Sequence, residues 1–239
     1  MNEKLISIGE AARLLNLSVD TLRRWDKSGK LPSLKKSGSA HRYYRESDLR
    51  IFLTDLVELA QSWLEKGGEP DSQFYCQNSG IFQGRNGSLE TLLAQEKALN
   101  EVFPLIVAIA GEVGNNSFDH NLGQWPDVPG VFFGYNIQKR ILVLADRGQG
   151  VLATLKRVRP SLQNDADALR VAFTEIISGR APEARGNGLK FVSSIIEKNA
   201  MSLVFLSGSA ELRQNSHSAE LDISTVDKKI SGCLFILSF

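Results

Sequence analysis

The 239-residue chain has only two cysteines, Cys76 and Cys233, which stand far apart and outside any Cys-x-x-Cys pair. Their scarcity excludes a disulfide framework and a cysteine zinc site, and it fits a reducing compartment. Long apolar runs are missing as well: the longest, residues 104–110, is far too short to cross a bilayer. The first residues carry acidic side chains in an amphipathic pattern where an export signal would carry an apolar core, so a cytoplasmic location and no membrane partner are expected. Gly-Lys-Ser and Gly-Lys-Thr do not occur, which excludes a Walker-type phosphate loop, and there is no internal repeat or low-complexity tract. An excess of one charge is also lacking, with 28 Lys and Arg against 27 Asp and Glu for a net +1. Taken as an average, that balance argues against a nucleic-acid partner.

The average conceals an asymmetry. Residues 1–50 hold 11 basic and 6 acidic side chains, whereas residues 51–239 hold 17 and 21. A basic head precedes an acidic body, and each has its own motifs.

In the head, Ser7 stands three residues before Glu10, the capping-box spacing in which each side chain satisfies a free N–H at a helix start. A short helix through Ala11, Ala12, Leu14 and Leu15 is expected, then a break at Asn16-Leu17. Ser18 caps a second helix over residues 19–27, ended by Gly29. Two short helices around a tight turn make a helix-turn-helix. Val19, Leu22 and Trp25 supply its inward stripe, leaving Thr21, Arg23, Arg24 and Lys27 outside. Residues 33–44 read as two extended arms around Ser37-Gly38-Ser39, a basic wing that returns through Tyr43 and Tyr44. Arginines on such a helix reach guanine edges in the major groove, while Lys35, Lys36, His41, Arg42 and the tyrosine hydroxyls hold phosphates, which position without specifying. A protein-binding winged helix or a solvated basic face would share parts of this pattern, but helix and wing are basic together, as a duplex binder requires.

The segments "SIGEAARLLNLSVDTLRRWDKSGKLP" and "HRYYRESDL" resemble the winged helix-turn-helix of MerR-type regulators and their excisionase-like relatives, over about the first 53 residues. The resemblance implies double-stranded DNA as partner and matches Thr21, Arg23, Arg24, Arg42 and Tyr43 to the family's contacting positions; Ser18, Lys35, Lys36 and His41 complete the expected set. The metal-binding cysteines or drug-binding domain usual in that family are absent from residues 54–239.

Residues 46–66 predict one long helix with Ser47 as a cap, and Leu49, Phe52, Leu56, Leu59 and Trp63 recur at coiled-coil steps. The stripe either pairs with a second copy, making a homodimer as MerR-type proteins do, or folds back on its own domain. Residues 67–72 read as a linker and residues 80–88, with three glycines, as an irregular passage. The expected organisation is therefore a DNA-binding domain over 1–53, a connector helix and linker over 54–87, and a second domain over 88–239.

In the body, residues 88–103 and 104–121 read as helices. Glu112, Asn116 and His120, at i, i+4 and i+8, form one polar ridge with Asp119 beside it and Asn115 nearby. Strands are expected at 131–135 and 141–145, the second ending in Asp146, whose carboxylate is placed at a pocket mouth with Gly148 and Gly150 following. A helix over 165–178 leads to a polar loop with Arg180 and Arg185, and Gly186-Asn187-Gly188 then opens another helix, an arrangement suited to a phosphate. Strands at 203–206, 219–223 and 233–239 complete a helix layer over a mixed or antiparallel sheet.

"EVGNNSFDH", "DRGQG" and "RGNGL" resemble, in order and separation, the N, G1 and G2 boxes of the GHKL ATP-binding fold shared by gyrase, MutL and histidine kinases. The resemblance covers residues 88–239. It implies an α+β chain, with an α/β sandwich of the GHKL (Bergerat) type behind the winged helix, and ATP and Mg2+ as cofactors. Asn116 then matches the metal-binding asparagine, Glu112 the catalytic glutamate that orients or deprotonates water in hydrolytic members, and Asp146 the adenine-reading aspartate. Gly148 and Gly150 match the G1 glycines, and Gly186 and Gly188, with Asn187 between them, the hinge of the ATP lid. Arg180 and Arg185 are placed to offset phosphate charge. Asp119 and His120 adjoin the nucleotide site; a histidine four residues after the asparagine resembles the anti-sigma-factor serine kinases, and it either contacts phosphate or is a structural residue beside the pocket. The function expected is an ATP-responsive DNA-binding transcriptional regulator. The alternatives are an anti-sigma-like serine protein kinase acting on a protein partner and a DNA-processing ATPase, each tethered by the winged helix.

Overall fold

The computed structural model describes residues 4–15, 17–29, 31–35, 41–46, 48–49, 55–176 and 188–239. The chain divides into two compact units, Met1–Asp55 and Leu56–Phe239.

The first unit runs β1 (Leu5–Ser7), α1 (Ile8–Leu14), α2 (Val19–Lys27), β2 (Leu34–Lys35) and β3 (Arg42–Arg45). The capping box forms as expected: Ser7 Oγ accepts from the Glu10 N–H at 3.3 Å, and the Glu10 carboxylate accepts from the Ser7 N–H at 3.0 Å. Helix α2 starts at Ser18, whose hydroxyl accepts from the Thr21 N–H at 3.0 Å. The wing arms β2 and β3 pair antiparallel, and β1 adds a third strand on the other side of β3. Three residues are too few for β1 to display alternation in the sequence. Ala11, Ala12, Leu22, Leu31, Tyr44 and Leu49 make the small core.

The second unit runs α3 (Leu56–Lys66), β4 (Tyr75–Cys76), α4 (Ser79–Leu93), a 3-10 turn at Lys97–Leu99 and α5 (Phe103–Asn121). It continues through β5 (Val131–Asn136), β6 (Ile141–Asp146), α6 (Gly150–Lys156), α7 (Asp165–Thr174), α8 (Gly188–Lys198), β7 (Ser202–Ser207), β8 (Ala210–Gln214), β9 (Asp222–Thr225) and β10 (Cys233–Ser238). Its seven-stranded sheet has the order β4-β5-β6-β10-β7-β8-β9, and of the two sheet types expected it is antiparallel at every pairing. Strand alternation assigns the faces. Val131, Phe133, Leu142, Leu144, Leu203, Phe205, Phe235 and Leu237 pack under α4, α5, α7 and α8. Phe132, Val143, Ala145, Leu206 and Leu234 point the other way, toward α3.

Several expectations are corrected. The long helix over 46–66 is interrupted, because Asp55 is not helical and α3 begins at Leu56. On α3, Leu56, Ala60, Trp63 and Leu64 are buried against the sheet of the same unit, with Trp63 stacked on Phe132 at 6.5 Å. Of the two destinations for the stripe, these residues take the intramolecular one, and Leu59 stays 39% exposed; Phe52 lies outside the described residues. The glycine-rich passage 80–88 is helical, capped by Asn78. There, burial of Phe82, Leu89 and Leu93 outweighs a cost of about 1 kcal/mol per glycine. The expected connector and linker over 54–87 thus supply α3, β4 and the start of α4 to the second unit, which begins at residue 56 and not 88. The helix expected over 165–178 ends at Thr174, and the strand expected at 219–223 falls at Asp222–Thr225. Strand β8, with a glutamate and an arginine among its five residues, was not foreseen. Among the described residues no helix is long and apolar enough to cross a membrane.

Candidate functional site

In the first unit the outward face of α2 carries Arg23, Arg24 and Lys27, all exposed, and Lys35 is exposed on β2. Arg23 donates to Asp20 at 2.8 Å, an exposed pair one turn apart. Arg24 reaches the Thr21 hydroxyl at 3.4 Å, and that hydroxyl in turn lies 2.9 Å from Ser18 Oγ. Ser18 and Thr21 are therefore engaged in capping the helix whose basic side chains they adjoin. His41 is exposed just before β3, while Arg42 and Tyr43 are partly buried.

Arg42, expected as a phosphate contact, is engaged inside its own unit. Its Nε donates to Asp26 Oδ2 at 2.6 Å, and Asp26 Oδ1 also accepts from the Ser33 N–H at 2.8 Å, so one carboxylate ties the end of α2 to both wing arms. The Arg42 bond, then the Ser33 N–H, holds Asp26 below the usual aspartate range. Tyr44 is corrected outright: it is fully buried and its hydroxyl donates to the Leu22 carbonyl at 3.4 Å.

In the second unit, residues from two other segments, 146–150 and the start of α8, converge on the C-terminal half of α5. Asn116 Nδ2 donates to Glu112 Oε1 at 3.3 Å. The first residue of α8, Gly188, lies directly over this pair: a Cβ there would stand 1.9 Å from Glu112 Oε1 and 2.9 Å from Asn116 Nδ2. Asp146, at the end of β6, is buried, its Oδ2 accepting from Ser117 Oγ at 2.8 Å and its Oδ1 from the Gly148 N–H at 2.9 Å. Burial pushes the Asp146 carboxyl up to about 6, against the opposing pull of Ser117 and the N–H groups of Gly148 and Cys233. Gly148 fits beneath Asn121, where a Cβ would approach Nδ2 to 2.1 Å, and Asn121 Oδ1 accepts from the Gln149 N–H at 2.9 Å. Gly150 opens α6 at φ +78, a conformation that favours glycine. His120 is partly buried and Asp119 exposed on the same helix. Lys36, Arg180, Arg185, Gly186 and Asn187 lie outside the described residues.

Sequence reasoning missed the residues that fix this geometry. Ser117 and Asn121 sit in the quoted motif or next to it and are one helical turn apart, a signal that was legible. Ser207, whose hydroxyl accepts from the Val151 N–H at 2.9 Å, and Gly232, where a Cβ would stand 1.9 Å from the Asp146 carbonyl, had no local signal. Arg147 had none either. It follows Asp146 directly, pairs with Asp127 at 2.5 Å, and donates to the Trp63 carbonyl at 3.2 Å and to the Leu64 carbonyl at the end of α3. Both cysteines are inert by environment: burial raises Cys76 to about 11 and Cys233 well above its ordinary value.

Residues 7–44 match the model of the MerR family regulatory proteins, so the first unit carries a MerR-type helix-turn-helix. The chain is 41% identical over 70 residues to the transcriptional repressor DcmR of Methylorubrum extorquens, a span of 29% of this chain and 26% of that protein. It is 33% identical over 109 residues to the type II methyltransferase M.Eco47II of Escherichia coli, or 43% of this chain and 25% of that one. It is 40% identical over 60 residues to the uncharacterised HTH-type transcriptional regulator YyaN of Bacillus subtilis, 24% of this chain and 44% of that one. The chain thus spans less than half the length of each of these relatives.

Proposed function

We propose that the protein is a DNA-binding transcriptional regulator whose second unit takes Mg-ATP in a GHKL-type site and whose operator binding responds to that nucleotide. One observation carries the nucleotide half of this reading: Glu112, Asn116, Asp146, Gly148 and Gly188, spread over 77 residues of sequence, meet around the end of α5. The donor set fits the ligand. Asp146 keeps a lone pair beyond its bonds from Ser117 and from the N–H groups of Gly148 and Cys233, as recognition of an exocyclic amine needs. Asn116 offers a single carboxamide oxygen, and Mg2+ is a cation that keeps most of its waters. Gly188 brings the start of α8 closer to Glu112 and Asn116 than any side chain would allow, while Gly148 lets the loop after Asp146 pack under Asn121 and donates its N–H to the Asp146 carboxylate. Bound Mg2+ would offset the charge of the phosphates; Asn116 would hold it, and Glu112, one turn earlier on α5, would orient or deprotonate a water. The DNA half rests on the MerR-type match and on the exposed basic side chains of α2 and β2.

Two measurements test the halves separately. Equilibrium binding of ATP with Mg2+ should be readily measured for the wild type and fall at least tenfold in Asp146→Asn; no binding by the wild type overturns the nucleotide reading. For DNA, Lys35→Ala should lower the slope of log affinity against log salt by about 1 for all sequences, whereas Arg24→Ala should cost about 1–3 kcal/mol and relax base preference. Binding insensitive to both substitutions would remove α2 and the wing as the reading surface.

A further inference from the structure

We infer that Ser117 is a positioning residue of the nucleotide site, holding the Asp146 carboxylate so that its free lone pair meets the exocyclic amine of an adenine base; the inference rests on the proposed ATP site. Helix α5 carries two stripes side by side. Glu112 and Asn116 lie on one. Val113, Ser117 and Asn121, each one residue on and therefore about 100° further around the helix, follow one another on the second. This second stripe faces the end of β6. Val113 and Asn121 are buried there, Ser117 Oγ donates to Asp146 Oδ2 at 2.8 Å, and Asn121 Oδ1 accepts from the Gln149 N–H at 2.9 Å. Gly148, between those two contacts, fits so closely under Asn121 that a Cβ would meet its side chain. Residues 146–149 are thus held along one helical stripe, and Ser117 is the member that reaches the carboxylate.

The chemistry of the hydroxyl suits this task. Ser117 Oγ has one proton and two acceptors in reach, the Asp146 carboxylate at 2.8 Å and the Val113 carbonyl at 3.3 Å. The Val113 carbonyl already accepts the N–H four residues on in the helix, so the shorter, charge-assisted bond to the carboxylate takes the proton. Asp146 is 3% exposed, and burial pushes its carboxyl up to about 6. The Ser117 bond is the largest of the pulls opposing that rise, ahead of the N–H groups of Gly148 and Cys233. An ionised carboxylate only accepts, which is what a 6-amino group needs, whereas a protonated one also carries a donor O–H. Of its roughly four lone-pair sites, Ser117, Gly148 and Cys233 occupy all but one, which fixes where the last one points. Without the hydroxyl, the Oδ2 side of the carboxylate is released and the protonated form gains ground. Either change weakens the bond to the amine and leaves the other contacts of a nucleotide alone.

The test compares ATP with the triphosphate of purine riboside, which lacks the 6-amino group, by equilibrium binding to the full chain with Mg2+ at neutral pH. For the wild type, the affinity ratio of ATP to the analogue should be about 10–150, the worth of one hydrogen bond to a charged group. Ser117→Ala should lower that ratio by at least about fivefold and bind the analogue within about twofold of wild type. Alanine is the best helix former, so α5 keeps its shape in this variant. Ser117→Thr, which returns the hydroxyl, should keep the ratio within about threefold of wild type. A ratio unchanged in Ser117→Ala, or equal losses for ATP and the analogue, overturns the inference and leaves the ATP site standing. Ser117→Thr behaving like Ser117→Ala does the same. A wild type that binds both triphosphates equally removes amine recognition by Asp146, and the inference with it, while a triphosphate site stands. A wild type that binds neither overturns the site and the inference together.

Discussion

Asp26 and Arg42, sixteen residues apart, form a 2.6 Å ion pair that locks the end of α2 to the first residue of β3. The pair is largely out of solvent, with exposures of 26% for Arg42 and 17% for Asp26. Asp26→Asn should loosen the wing at a cost of about 1–3 kcal/mol at neutral pH. Because the folded carboxyl titrates below its ordinary 3.8, its contribution is present above that value and is lost as pH falls through the folded pKa. The protection factors of the β3 amides, each taken against the intrinsic exchange rate at that pH, should therefore fall between pH 7 and pH 3 in the wild type and be low throughout in Asp26→Asn.

Asp146 has the opposite sign. Its folded pKa of about 6 lies above the ordinary 3.8, so its contribution to stability is complete below 3.8 and is lost as pH rises through 6, by about 3 kcal/mol in all. Asp146→Asn removes that dependence. Chemical denaturation of the wild type should show stability falling between pH 4 and pH 7, with a flatter profile in the variant. A wild-type profile that rises over this range would contradict a buried, desolvated Asp146.

Gly148→Ala should destabilise by about 1–3 kcal/mol, because Asn121 is held at both ends and cannot retreat from a Cβ placed 2.1 Å from its Nδ2. Its oxygen accepts from the Gln149 N–H at 2.9 Å, and its amide donates to the Ser117 carbonyl at 2.8 Å. Asn121→Ala alone strands the Gln149 N–H at a similar cost. The double variant should lose at least 1 kcal/mol less than the two singles together, as urea denaturation can measure.

Trp63→Ala should cost about 3–5 kcal/mol, since the indole is 5% exposed between Phe132 and the sheet. Leu59→Lys, at a site 39% exposed, should alter stability by less than about 0.5 kcal/mol. Sedimentation of Leu59→Lys at several concentrations examines the other destination of the helix: a change in assembly state would show that the outward side of α3 meets a second copy.

The head of the chain was legible because its signals are local. The spacings Ser7 to Glu10 and Ser18 to Thr21 are caps satisfied within one turn, and Leu22 and Trp25 repeat at a helical step, so no distant partner is needed to read them. The strands expected at 131–135 and 141–145, two short runs joined by a hairpin, were equally local. Failures arose where packing overrode local preference. Three glycines suggested a loop at 80–88, yet Phe82 meets Gly114 so closely that a Cβ there would come within 2.1 Å of the ring, and burial kept the segment helical. The heptad-like stripe of α3 carried no information about its partner, because a sheet and a second helix both accept an apolar ridge.

What the sequence determined by itself was therefore the MerR-type helix-turn-helix, the basic head and acidic body, and the residue types of the polar ridge on α5. The tertiary structure decided which of those residues meet. It turned Arg42 toward Asp26, placed Gly188 over Glu112 and Asn116, buried Asp146 against Ser117, and set Arg147 on the end of α3. Each of these contacts joins segments at least sixteen residues apart, and no spacing along the chain encodes them. They form because a buried carboxylate, a helix end and a guanidinium must find partners once the sheet has closed over them.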